Sequence, residues 1–166
     1  MARSLSSSRR CVLADLTAIR RGIAAQLRDV LPVDEGQVFP WLQESPPTPC
    51  LQVAGLDSDG AVSLTFGDAK QYVVLVEGCL GLVADTNAQQ RLDDWLSTDA
   101  IADAVEDANS PTGALTSRLQ DDGTVVTGQA AAADSVGFDG YRGQTRFPAQ
   151  DGRVLLLATW AFKVLT

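Results

Sequence analysis

KQYVVLVEGCLGLVADTNAQQRLDDWL, residues 70–96, is the stretch that decides the fold. Its first half, from Tyr72 to Val83, is a long apolar run rich in β-branched residues, and this composition favours a strand over a helix. Polar residues barely interrupt the run before Glu77, so we expect both faces of the strand to be covered. The pattern predicts a buried strand in the centre of a sheet.

A helix is predicted directly after this strand. Asp85, Thr86 and Asn87 are residue types that accept hydrogen bonds from the free N–H groups at a helix start. We expect an amphipathic helix that folds back over the sheet. Its apolar face holds Leu92, Trp95 and Leu96, and its polar face holds Gln89, Gln90, Arg91, Asp93 and Asp94.

Another helix is predicted near the N-terminus, at residues 13–31. Its apolar residues recur at spacings of three and four, and Pro32 ends the pattern. Three arginines, Arg20, Arg21 and Arg28, fall outside the apolar stripe. They are expected to face either water or a partner protein.

Three shorter strands are predicted before the central one. Residues 37–42 (QVFPWL) predict an edge strand, because Pro40 has no N–H to donate to a neighbouring strand. Residues 50–54 and 61–66 predict two further strands, joined by a turn at Asp59-Gly60. With the central strand they form an antiparallel meander, and we expect residues 37–42 to lie beside it.

After the central helix, the sequence predicts more helix and then a hairpin. Residues 100–108 (AIADAVEDA) predict a second helical piece, and a short third piece follows at 111–119. A strand that begins at 124–126 and a long strand at 153–165 predict the terminal hairpin. Residues 128–152 are predicted to form a long loop between them.

Together these elements predict an α+β (α/β) protein. Its mainly antiparallel sheet carries the N-terminal helix and the central helix pair, and it ends in a long C-terminal hairpin. A chain of 166 residues is long enough for one such domain. We assign the domain to residues 13–166, and we expect residues 1–12 to be a flexible basic arm.

The net charge of −8 is unevenly distributed. Residues 1–31 hold six arginines and two aspartates, a net +4, which leaves −12 for the remainder. Nine acids and two arginines lie between residues 85 and 122, and their spread along helices indicates a solvated face. This body does not suit a general nucleic-acid binder, which needs clustered Lys and Arg. No window is apolar enough to span a membrane.

The sequence offers few residues for catalysis or for holding a metal. It contains no histidine, which is the commonest general base and metal ligand. Cys11, Cys50 and Cys79 lie far apart without a C-x-x-C pair, which indicates free thiols in a reducing compartment. Neither a G-x-S-x-G motif nor a phosphate-binding loop occurs. We therefore predict a protein that is not an enzyme and has no cofactor or metal.

Aromatic and arginine residues are interleaved in the predicted long loop, in FDGYRGQTRF at residues 138–147. Long ordered loops often carry function, and exposed aromatics with arginine are typical of protein interfaces. The alternative is that this part of the loop is a flexible tip without a binding role. The predicted partner-contacting residues are Arg20, Arg21, Arg28, Trp41, Phe138, Tyr141, Arg142, Arg146 and Phe147.

The order of elements resembles that of the tail terminator proteins of long-tailed (siphovirus-like) phages, particularly phages of actinobacteria. The likeness is carried by LTAIRRGIAAQLRDVLP at residues 16–32, YVVLVEGCLGLVADTNAQQRLDDWL at 72–96 and GRVLLLATWAFKVLT at 152–166. It covers nearly the whole chain and is one of layout rather than of a signature motif. The Ser/Arg-rich start and the long loop at 128–152 depart from the family's pattern.

The resemblance implies a ring of six subunits on the head-proximal end of the phage tail tube. Such a ring ends tube polymerisation and provides the head-tail joining surface. Its partners would be other copies of the chain, the tail tube protein and the connector, in the host cytoplasm during assembly and then in the virion. DNA would pass through without specific binding. Two other hypotheses remain, which are another neck or tail tube component and a small adaptor domain that binds an acidic partner.

Overall fold

The computed structural model describes residues 16–56, 63–64, 70–107, 118–119, 125–126, 133 and 135–165. These residues form an α+β fold, as predicted. The helices are α1 (Leu16–Leu27), α2 (Thr86–Ser97) and α3 (Ala100–Glu106). The strands are β1 (Gln37–Phe39), β2 (Cys50–Leu56), β3 (Ser63–Leu64), β4 (Lys70–Leu82), β5 (Arg118–Leu119), β6 (Val125–Val126), β7 (Ser135–Pro148) and β8 (Val154–Leu165).

The main sheet has the strand order β1-β2-β4-β8-β7. The predicted central strand is confirmed, because β4 is the middle strand and pairs with β8 along almost its whole length. The pairing of β1 with β2 is parallel, whereas the other described pairings are antiparallel. As predicted, β1 lies at an edge, and it ends at Phe39, directly before Pro40.

All three helices pack on the same face of the sheet. Their apolar residues form one buried cluster with alternate residues of the strands, so one layer of helix covers one layer of sheet. Trp160 and Phe162 of β8 lie in this core, where they are 2% and 0% exposed. The helical contributors are Ile19, Ile23, Ala24, Leu27, Ala88, Leu92, Trp95, Ile101 and Val105.

The opposite face of the sheet is covered only in part. A second, smaller buried cluster lies there, formed by Cys50, Cys79 and Leu155. Along β4, Val73 on this face is buried, but Leu75 is half-buried. The expectation that both faces of the central strand are covered therefore holds for the helix side and only partly for the other.

The helix ends follow the local sequence closely. Asp85, one of the three predicted capping residues, is the N-cap of α2, and its carboxylate accepts a hydrogen bond from the N–H of Asn87 at 2.9 Å. Thr98 closes the same helix, and its hydroxyl donates to the carbonyl of Asp94 at 2.7 Å. The helix α1 ends at Leu27 rather than at residue 31, and Leu31 still packs in the core.

The predicted meander is wrong. β2 pairs directly with β4, and β3 pairs with the start of the same edge of β4 rather than lying between them. β2 and β3 therefore run in the same direction, one after the other. The 13-residue length of β4 leaves room for both, and pairing with β4 places Leu51 and Val53 in the core. The predicted turn at Asp59-Gly60 lies outside the described residues.

The predicted long loop at 128–152 is also wrong, because most of it is the strand β7. This strand has 14 residues and pairs with β8 from Ser135 to Pro148. Two bulges, before Gly140 and before Gly143, interrupt the alternation that would have revealed it. Both glycines have positive φ, +130° and +103°, a conformation that other residues rarely adopt.

The short strands β5 and β6 also differ from the predicted hairpin. β6 lies where a strand was expected, but it pairs with β5 in a separate two-stranded sheet rather than with β8. β5 occupies residues 118–119, which were predicted to end a helix that began at 111. Residues 111–117 lie outside the described part of the chain, as does the basic arm at 1–12.

We expect Gly78→Ala to lower the free energy of unfolding by about 1–3 kcal/mol, since extra volume in a packed core is costly. A Cβ at Gly78 would lie 3.2 Å from Trp160, 3.3 Å from Leu51 and 3.5 Å from Trp95. Gly137→Ala is the matched control, because a Cβ at Gly137 meets nothing within 4 Å. Urea denaturation of both variants measures the difference, and equal losses would contradict the packing argument.

Candidate interaction surfaces at the two edges of the sheet

The predicted partner-contacting residues separate into two groups at opposite edges of the main sheet. Arg20 and Arg21 lie on α1, which packs beside β1 and β2, and Trp41 follows β1. The other group lies on β7, at the far edge. Arg28 is exposed just beyond the end of α1 and belongs to neither group. The second group is Phe138, Tyr141, Arg142, Arg146 and Phe147.

Arg21 and Trp41 of the first group, together with Leu42, form a surface that we call the Trp41 corner. The guanidinium of Arg21 lies over the Trp41 ring, 5.5 Å from its centroid, in a cation–π contact. Trp41 is 42% exposed and Leu42 is 54% exposed. The corner therefore presents an aromatic and an aliphatic side chain beside a positive charge, the combination that dominates many protein interfaces.

A buried glutamine holds the Trp41 corner against the sheet. The amide oxygen of Gln52, which is 3% exposed, accepts a hydrogen bond from the N–H of Gln43 at 3.1 Å. Its amide nitrogen donates to Glu77 on β4 at 3.2 Å. Because a buried polar side chain is costly without partners, these bonds fix the segment that carries Trp41. Sequence reasoning missed Gln52, although a lone glutamine within CLQVA was a signal.

Arg20 is close to the backbone of β2 rather than extending into solvent. A Cβ added to Gly55 would lie 3.0 Å from an Arg20 guanidinium nitrogen. Gly55 has φ +125° and follows the irregular register at Val53. Arg20 is half-buried there, so it packs against β2 and is not counted with the Trp41 corner.

Phe138 and Tyr141 anchor β7 from the helix side. The Phe138 ring packs against Phe162 with 5.5 Å between centroids, and the Tyr141 ring packs against Trp160 at the same distance. The Phe138 N–H donates to a carboxylate oxygen of Glu106 at 2.8 Å. The Tyr141 hydroxyl has no hydrogen-bond partner among the described residues, and desolvation raises its pKa. Both rings therefore pack on β8, and Phe138 remains 39% exposed.

Asp139 and Arg142 are the two additional residues at the bulges of β7, and they pair with each other. An Arg142 guanidinium nitrogen lies 2.7 Å from one carboxylate oxygen of Asp139, and Lys163 of β8 lies 2.7 Å from the other. The hydrogen bond from Lys163 is the main reason why the pKa of Asp139 is lowered, with a smaller contribution from Arg142. The bulges thus place a small charged network on the face away from the helices.

A groove of about 290 Å³ runs between α2 and β7. Its lining is mixed, with three apolar and five polar residues, and it carries opposite charges because Asp93 and Arg146 both line it. We call it the α2–β7 groove. The apolar lining residues, which we call the groove floor, are Val83, Leu92 and Leu156, and the polar ones are Gln89, Asp93, Gln144, Thr145 and Arg146. Phe147, 44% exposed, pairs with Leu155 and so faces the other side of the sheet.

The acidic helix surface was predicted and is confirmed for the described residues. The carboxylates of α2, α3 and their flanking turns are exposed and spread along the helices. Within the same ranges, no group of three or more Cys, Asp and Glu side chains could hold a metal ion. The acidic residues are Asp85, Asp93, Asp94, Asp99, Asp103, Glu106 and Asp107.

Comparison with known proteins gives no family assignment. The chain matches no protein-family model and none of the curated proteins. None of the described helices has the length and apolar character needed to cross a membrane.

Proposed function

We propose that this chain is a structural virion protein, a tail-terminator-like subunit that forms a ring on the head-proximal end of a phage tail tube. The ring ends tube polymerisation and provides the surface to which the head connector joins. Three features support the proposal, which are the resemblance in element order, the acidic exterior and the placement of two different surfaces at opposite edges of one sheet.

The placement of the two surfaces carries the proposal. A closed ring needs head-to-tail contacts, in which one surface of a subunit meets a different surface of the next. The Trp41 corner and the α2–β7 groove are different in chemistry and lie at the β1 edge and the β7 edge. The hydrogen-bonded sheet between them fixes their relative directions, which a ring of defined size requires.

The Trp41 corner and the α2–β7 groove offer features that can be matched to each other. The corner offers the exposed Trp41 and Leu42, and the groove offers an apolar floor. Arg21 accompanies the tryptophan, and Asp93 stands on the rim of the groove. We infer that Trp41 of one copy enters the groove of the next, with Arg21 near Asp93, because aromatic anchors in apolar pockets dominate interface energies.

The charge of the helix layer suits a subunit whose ring DNA passes through. Seven exposed carboxylates on and around α2 and α3 stand against one arginine, Arg91. Affinity for DNA comes mainly from Lys and Arg side chains that neutralise phosphates. A ring with this exterior has little affinity for the genome, so DNA moves through it without specific binding.

The experiment that tests the proposal measures the mass of the purified chain in solution. Size-exclusion chromatography with light scattering should show a closed oligomer, six copies of the 17.6 kDa chain, alone or with its cognate tail tube protein. A chain that stays monomeric at high concentration in both conditions contradicts the proposal. Labelled particles imaged by electron microscopy then separate a terminator at the head-proximal end of the tail from another neck or tube component.

Deleting residues 2–10 separates the ring subunit from an adaptor domain. The ring subunit retains its oligomeric state after the deletion, because both surfaces that form the ring lie within residues 20–156. An adaptor that binds through the basic arm loses all binding instead. Light scattering of the truncated chain distinguishes the two outcomes.

A further inference from the structure

Cys50 and Cys79 stand directly opposite each other on neighbouring strands. They are register partners in the antiparallel pair of β2 and β4, and both are free thiols with 0% exposure. Cα atoms of directly opposed residues lie about 4.5–5.5 Å apart. The Cα atoms of a disulfide-bonded pair lie about 4.4–6.8 Å apart, so the backbone already holds Cys50 and Cys79 at a separation that a disulfide permits.

The two thiols are not equivalent. Interaction between the two neighbouring thiols is the main reason why the pKa of Cys79 is lowered and that of Cys50 is raised. The positive charge of Arg153 lowers the pKa of Cys79 further. Cys79 therefore has the greater thiolate character, and the thiolate is the reactive form of cysteine.

The cover over the pair is thin. Buried Leu155 packs beside the thiols, and the remaining cover comes from Phe39, Ala149 and Leu157, which are only partly buried. Phe39 belongs to β1, an edge strand of three residues. Short edge elements open more readily than the core of a sheet, so a small neutral oxidant can reach the sulfurs without global unfolding.

We propose that Cys50 and Cys79 are a modification site, at which a peroxide converts the two thiols into one disulfide between β2 and β4. In the first step, the Cys79 thiolate attacks one peroxide oxygen, the O–O bond breaks, and the hydroxide released takes up a proton to become water. In the second step, the Cys50 sulfur attacks the Cys79 sulfenic acid, its proton leaves with the hydroxyl as water, and the S–S bond forms.

The reaction is balanced with hydrogen peroxide as the oxidant. Two thiols and one peroxide give one disulfide and two waters, so the sulfurs together lose the two electrons that the peroxide gains. The bond closes the chain segment between residues 50 and 79 and joins two strands of the main sheet. Cross-linking of this kind restricts the unfolded chain, and we expect the melting temperature to rise by about 5–10 °C.

The test uses the full chain with Cys11→Ser, so that only the two opposed thiols remain. Treatment of the folded, reduced protein with hydrogen peroxide should lower its intact mass by about 2 Da, the loss of two hydrogens. Non-reducing peptide mapping should then recover the Cys50 peptide joined to the Cys79 peptide. Dithiothreitol should restore the original mass and the original melting temperature.

Two further variants test the order of the steps. With Cys50→Ala added, peroxide should leave a sulfenic acid at Cys79, trapped as a dimedone adduct. With Cys79→Ala added, Cys50 should remain a thiol under the same conditions. The proposal is overturned if the chain with Cys11→Ser keeps its mass at peroxide concentrations that oxidise an unfolded sample, or if its only disulfides join separate chains.

Discussion

Mixing two variants that are each defective at one edge is expected to give a dimer and nothing larger. Trp41→Ala with Leu42→Ala removes the Trp41 corner, and Asp93→Arg with Gln144→Arg blocks the α2–β7 groove by bulk and by repulsion of Arg21. Each variant alone should be a monomer of 17.6 kDa. In the mixture, the intact corner of one meets the intact groove of the other, and the chain of contacts stops there.

This outcome distinguishes a head-to-tail contact from a symmetric one. A symmetric dimer that used the corner alone or the groove alone would persist in the variant that keeps that surface, so two monomeric variants that form a dimer when mixed exclude it. The control changes the same residue types elsewhere, as Asp94→Arg with Gln90→Arg, because both residues are exposed on α2 and neither lines the groove. That control should assemble like the unmodified chain. Light scattering and native mass spectrometry give the masses of the two variants, their mixture and the control.

Replacing Trp160 with alanine is expected to cost more stability than any other single change considered in this chain. Trp160 is 2% exposed, and the centroid of its ring lies 6.3 Å from that of Trp95 and 5.5 Å from that of Tyr141. The ring of Trp160, on β8, thus contacts both α2 and the outer strand β7. Truncating a buried Trp to Ala costs about 3–5 kcal/mol, a large share of the roughly 5–15 kcal/mol that stabilises a domain.

Thermal denaturation is the measurement for this substitution. We expect the melting temperature to fall by about 10 °C, since 1 kcal/mol shifts it by about 2–4 °C in a protein of this size. Trp160→Phe keeps an aromatic ring in the same place and should lose much less. A fall of only one or two degrees in Trp160→Ala would show that the ring does not join the layers as described.

The parts of the fold that depend on local pattern could be predicted from the sequence. The apolar run of β4, the cap at Asp85 and the helical stripe of α1 each fall within a single window of the chain. Pro40 identified β1 as an edge for a local reason, its missing N–H. The pairing of β2 with β4 could not be predicted in this way, because it joins residues far apart in the chain.

β7 shows why a strand can be hidden in its own sequence. Gly140 and Gly143 look like loop residues, and each follows an additional residue that shifts the alternation by one. Read through the bulges, Val136, Phe138 and Tyr141 all lie on the helix side, opposite Val164, Phe162 and Trp160. That regularity appears only once β8 is placed beside the strand.

The candidate surfaces could be predicted by residue type but not by position. Trp41, Arg21 and Arg146 were predicted to contact partners from their chemistry, and the sheet topology places them at opposite edges. Leu42 and the groove floor were missed, because their exposure depends on where α2 and β1 lie in the folded chain. Phe138 and Tyr141 were recognised for the right residue type, and the structure gives them a packing role.

The irregular backbone of β7 has a consequence for how the protein avoids fibres. A flat, exposed strand at the rim of a sheet invites other chains to add to it without limit, as in amyloid. In β7, the two bulges and the charges of Asp139 and Arg142 interrupt the edge of the sheet. The addition of another strand to this edge is therefore disfavoured. In the proposed ring, contact between copies would then depend on side chains rather than on free backbone groups of an edge strand.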